Sequence, residues 1–241
     1  MDAKTLLVIP CCKDKATSGT AMPSYSDPLV SLVSSQQYDD MLKVRFKLLS
    51  TIRTASSPPN GEGETYNTQI RDGFDFGKSD GSGLYREAIT RYAGFLYSVP
   101  GFSADLRKAL GNPDSPRVLI LSALYGPLHP LTPIQDYDLR MEDKTAREAW
   151  KSAWPGFMND YISRNGIRVV RLYLGRTTAY LKVASHALRP LIERGMIEAT
   201  YYDVEGGTSR ETPRNHGIRF LADLGQSSSL PASRVVTEKP L

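Results

Sequence analysis

Residues 118–141, VLILSALYGPLHPLTPIQDYDLRM, constrain the fold more than any other part of the chain. Val118–Leu121 is a short, continuous apolar run, the pattern of a strand buried on both faces. It breaks at Ser122-Ala123-Leu124-Tyr125-Gly126, passes three prolines, and emerges in Asp136-Tyr137-Asp138-Leu139-Arg140. Open α/β sheets build their sites where such strands end, because ligands settle beyond the carboxyl ends. The plainer reading of the same residues is a strand, a turn and a solvated loop.

Three further runs carry the same pattern: Leu6–Ile9, Val169–Leu174 and Ala199–Tyr202. Segments of near-helical apolar period separate them, at 37–53, 84–97, 144–163 and 177–194. The stripe Trp150, Trp154, Phe157, Tyr161, Ile162 reads as core rather than as a stacking platform. Strands alternating with helices predict one α/β domain with a mixed, mainly parallel sheet flanked by helices. The expected domain spans 1–224. Within it, 54–83 is rich in Gly, Ser and Pro and reads as a flexible insertion, and 225–241 reads as a disordered or extended tail.

The 241 residues carry a formal net charge of +4, which permits a polyanionic partner without demanding one. The first ten residues hold too short an apolar run for a secretory leader, and no segment has the length of a membrane span. The two cysteines, Cys11 and Cys12, are adjacent and lack zinc-ligand spacing. These features predict a reduced, cytoplasmic protein without a membrane partner. His129, His186 and His216 show no metal-binding spacing, and no cofactor-binding motif is present, so neither metal nor cofactor is expected.

The central segment resembles the signature of the bacterial peroxide-stress protein YaaA family. Leu121, Ser122, Leu124, Tyr125, Gly126, Leu128, Pro130, Leu131, Tyr137, Leu139 and Met141 follow that pattern in order. Asp136 and Asp138 depart from it, standing where the family has a proline and a basic residue. Elsewhere Lys13, Tyr180, Lys182, Arg214, Arg219 and Phe220 fit the family's strand-end and helix patterns, and Gly83-Leu84-Tyr85 fits loosely. The resemblance implies a compact α/β fold with a positively charged cleft, protection of DNA during oxidative stress, and binding to duplex or irregular DNA.

Two functions follow. In the first, the chain binds DNA through Lys13, Tyr125, Arg214 and Arg219. In the second, it is an N-glycosidase-type enzyme acting on a nucleobase or nucleotide. There Asp136 or Asp138 is acid, base or nucleophile, and Tyr125 or Tyr137 stacks on the base. Ser122 sits where a nucleophile would, without a histidine partner in sequence. Gly126, beside Tyr125, is a further candidate binding residue, Tyr85 is a further stacking candidate, and Arg140 and Arg176 are candidate phosphate ligands. Cys12 beside Lys13 is either an activated thiol or a small apolar side chain packing the turn. Lys13, Ser122, Tyr125, Tyr137, Arg214 and Arg219 are expected to converge on one cleft at the carboxyl edge of the sheet. Neither the nucleic acid or nucleotide bound nor the oligomeric state is fixed by these features.

Overall fold

The four apolar runs become the centre of one sheet. In the computed structural model, which describes residues 2–22, 25–54, 66–78, 82–225 and 235–241, β1 (Thr5–Pro10) lies at its middle with Leu6, Leu7, Val8 and Ile9 fully buried. After β1 the chain makes β2 (Thr20–Ala21), α1 (Ser35–Thr54), β3 (Leu84–Glu87), a single turn α2 (Ala88–Arg91) and α3 (Phe102–Leu110). It then returns as β4 (Arg117–Ser122), doubles back as β5 (Gly126–Leu128), and makes the two-residue β6 (Pro133–Ile134). The second half runs α4 (Lys144–Arg164), β7 (Val169–Leu172), α5 (Ala179–Glu193), β8 (Glu198–Val204), α6 (Glu211–Asp223) and β9 (Val236–Pro240).

The large sheet has the order β5-β4-β1-β7-β8-β9. Its four inner strands are parallel, with Val8 opposite Leu119 on one side and Leu172 on the other. The edge strands β5 and β9 run antiparallel. From β1 the chain moves to β4 on one side, and from β7 to β8 on the other. The strand order therefore reverses between β1 and β7, the place where such sheets leave a crevice. A second, three-stranded sheet has the order β2-β3-β6. The aromatic stripe of α4 is core, as its period predicts: Trp150, Trp154, Phe157, Tyr161 and Ile162 are all buried.

Two expectations change. The helix expected over 84–97 is instead β3 followed by one turn of helix, because residues 84–87 pair with both β2 and β6. Arg91 locks this arrangement from the core: its guanidinium donates to the carbonyls of Ala16, Ser18 (2.9 Å), Leu84 (2.9 Å) and Ile134 (3.3 Å). Part of the polar stretch 54–83 is built into the fold. Residues 66–78 form two 3-10 turns that bury Asp75, Phe76 and Asn67, while 55–65 and 79–81 lie outside the described residues. At the far end Val236–Pro240 pairs with β8 along Thr200–Val204.

Candidate functional site

Burial divides the residues of the 118–141 segment. The β4–β5 turn is so tight that Ser122 pairs with Gly126. Gly126 has φ +65°, and a Cβ there would lie 2.3 Å from the Trp150 ring. Ser122 is fully buried. Its Oγ accepts from the Tyr125 amide at 3.0 Å and is 2.8 Å from the Tyr137 hydroxyl, which lies 3.0 Å from that of Tyr92. The Lys15 ammonium sits 4.2 Å above the Tyr137 ring. This chain of hydroxyls is a turn lock, and burial drives the Tyr92 and Tyr137 phenols well above their ordinary pKa.

Tyr125 and Tyr85 meet a different partner. The Tyr125 hydroxyl donates to Asp75 Oδ2 at 2.8 Å and the Tyr85 hydroxyl to Oδ1 at 3.1 Å. Gln135 Nε2 donates to the same carboxylate at 3.2 Å. Burial pushes the Asp75 carboxyl up to about 6, against the hydrogen bonds from Gln135, Tyr125 and Tyr85 that favour its charged form. Both tyrosines are 1 % exposed or less. Arg45 on α1 donates to the carbonyls of Tyr125 (2.8 Å) and Pro127 (3.2 Å), tying the hairpin to the helix.

The two aspartates part company. Asp138 is buried, its backbone held on both sides by the Asn67 amide at 2.8 Å. Asp136 is half-buried and lines a pocket of about 270 Å³ with Arg71, Gln69 and Gln135. Arg140 and Lys13 are exposed. Arg214 is exposed on α6, whereas Arg219 lies against Asp223 at 3.0 Å and over the Tyr202 ring.

At the crevice between β1 and β7 lies a cleft of about 580 Å³. Cys11, Gly175–Thr178, Asp203, Val204, Gly206, Gly207 and the start of α6 form it, one strand end after another. The helices entering it are well capped. Thr178 Oγ1 accepts from the Leu181 amide at 3.4 Å on α5. At α6, Thr208 and Glu211 form a reciprocal capping box, with contacts of 3.2 and 3.3 Å. The Tyr180 hydroxyl lies 2.9 Å from Cys11 Sγ. Its charged lining is Glu142, Arg176 and Asp203, and Asp203 is held below the usual carboxylate range chiefly by the Lys239 ammonium at 2.8 Å. Of the site residues expected from sequence, Arg176 lines this cleft. Lys13, Ser122, Tyr125, Tyr137, Arg214 and Arg219 do not share it.

The cationic surface is next door. A groove of about 560 Å³ between α4 and α5 is lined by Arg147, Lys151, Arg176, Lys182 and Arg189, with Glu148 the single carboxylate. Lys182, His186 and Arg189 recur at helical spacing along one exposed face of α5. Sequence reasoning passed over this stripe, although the spacing is visible there. What the sequence does not contain is the apposition of α5 to Arg147 and Lys151 on α4. Among the described residues no cluster of His, Cys, Asp or Glu has the form of a metal site, and no helix is long and apolar enough to cross a membrane.

No curated protein matches the chain. The family model of peroxide stress protein YaaA matches residues 6–210, from the first residues of β1 to the threshold of α6. That span takes in every inner strand and the cleft lining as far as Ser209, leaving out only its α6 residues, and the chain belongs to the peroxide stress protein YaaA family.

Proposed function

We propose that this chain binds DNA as part of the oxidative-stress role of its family, and that the α4–α5 groove is the surface that does so. The observation that carries the reading is the charge count of the groove: Arg147, Lys151, Arg176, Lys182 and Arg189 against Glu148. On a chain of net charge +4 this is a strong local concentration. Cations along α4 and α5, with Arg176 just ahead of α5, suit a phosphate backbone, which supplies most sequence-independent affinity.

The residues first assigned to the task fit it less well. Tyr125 is fully buried, and Arg219 is engaged with Asp223. The alternative reading as an N-glycosidase loses its stacking groups for the same reason, because Tyr125 and Tyr137 present no face to a ligand. Asp138, 8 % exposed and pinned through its backbone, is poorly placed for proton transfer.

The test is the salt dependence of duplex binding, followed by fluorescence anisotropy. Log K should fall linearly with log salt. Lys182→Ala and Arg189→Ala should each reduce the slope by about one unit. Lys43→Ala, removing an exposed cation on α1 that pairs with Asp40, should leave it unchanged. Affinity that ignores salt, or groove variants that match Lys43→Ala, would reject the assignment.

A further inference from the structure

The groove and the cleft meet at Arg176, which lines both. Its side chain is 62 % exposed and makes a 3.7 Å contact with Asp203. The two hollows differ sharply in charge. The groove holds five cations and one carboxylate. The cleft holds Arg176 against Glu142 and Asp203, and its remaining polar lining is largely hydroxyl, including Thr177, Thr178 and Ser209.

This contrast selects what each can accept. A phosphodiester is attracted to the groove more than to the cleft, where Glu142 opposes it and Arg176 is already shared with Asp203, itself paired with Lys239. A nucleobase is uncharged, presents N–H donors that carboxylates and hydroxyls accept, and carries flat apolar faces. The cleft supplies apolar wall as well, from Leu96, Pro213 and the ring of Tyr180. Its volume of about 580 Å³ falls within the range of roughly 300–1,000 Å³ usual for small-ligand sites.

We propose that the cleft at the β1–β7 crevice receives one unpaired nucleobase of a DNA strand whose backbone lies in the α4–α5 groove, with Arg176 on the phosphate between them. The proposal rests on the groove reading. It adds a base-binding site built from Thr177, Ser209, Tyr180 and the two carboxylates. The energy of unstacking is smallest for a base already unpaired, so such a base enters first.

Photo-crosslinking tests it. The probe is a duplex carrying a single unpaired 4-thiothymidine, irradiated in complex with the full chain, with the adducts mapped by mass spectrometry. Adducts are expected within residues 175–180 and 203–213. Thr177→Phe and Ser209→Phe, each at an exposed rim position, should remove those adducts by narrowing the cleft, while affinity for a fully paired duplex, which the groove alone holds, stays within about twofold. Two results would overturn the proposal: adducts confined to the α4–α5 face, or adducts in the cleft unchanged in both rim variants. Duplex binding with either result leaves the groove reading standing. A chain that binds no duplex at all, with or without the unpaired base, overturns both.

Discussion

Replacing Gly126 with alanine separates a glycine kept for the fold from one kept for a ligand. Two costs apply. At φ +65° an L side chain is strained by about 1–2 kcal/mol. The new methyl also meets the Trp150 ring at 2.3 Å, so the ring must move. Trp150 is fully buried and its Nε1 donates to the Ala123 carbonyl at 2.7 Å, so displacement disturbs both packing and a buried hydrogen bond. Overpacking of this kind costs about 1–3 kcal/mol. The sum, roughly 2–5 kcal/mol, is a large part of a stability of about 5–15 kcal/mol. Equilibrium urea unfolding measures it as a fall in midpoint at constant slope. The two costs are separable in a Trp150→Leu background, where the ring is gone and only the backbone strain of about 1–2 kcal/mol is left. A loss below about 1 kcal/mol in the native background, or an equal loss in both, would refute the steric argument. A protein of unchanged stability that had lost DNA affinity would return Gly126 to the binding residues.

Arg91→Met should cost more than about 3 kcal/mol, because it strands four carbonyls that the guanidinium now satisfies; Arg91→Lys, unable to span them, should not restore the thermal midpoint. Burial holds the His216 imidazole down to about 4, below its unfolded value of about 6.5. Its contribution is therefore present above pH 6.5 and lost as pH falls from there through 4, by about 3 kcal/mol at the limit. His216→Gln should flatten the acid limb of a stability–pH profile. Asp75, raised to about 6, acts in the opposite sense between about pH 4 and 6, so the comparison is variant against native protein. Burial pushes the Cys12 thiol up to about 12. It should resist iodoacetamide at roughly pH 8 in the native state and react on unfolding, as peptide mapping would reveal.

β1 and β4 were legible because a doubly buried strand needs an unbroken apolar run, and that requirement is local; β7 and β8, broken by Arg171 and by Thr200 and Asp203, still carried enough β-branched and aromatic residues to read as strands. The same holds for α1, α4 and α5, whose apolar period survives even Pro155 inside α4. The signature around Tyr125 and Gly126 was equally legible as a pattern, and the family assignment followed from it. Its meaning was not. A strand end in sequence does not say whether a tyrosine faces a ligand or a buried acid. Tyr85 and Tyr125 point to Asp75 because a 3-10 turn from the polar 54–83 stretch is plugged into the core beside them.

Residues 84–87 show the limit from the other side. Their local pattern continues into a helical one, yet pairing with β2 and β6 makes them a strand, since tertiary pairing outweighs propensities of a few tenths of a kcal/mol per residue. The distribution of charge is the clearest case. Sequence alone supplied a net charge of +4 and a scatter of cations. Only the packing of α4 against α5 gathered Arg147 and Lys151 beside Lys182 and Arg189. Only the reversal of strand order set Glu142 and Asp203 in a separate cleft around the corner. Electrostatic potential depends on distances between charges, and those distances are set by contacts between residues far apart in the chain.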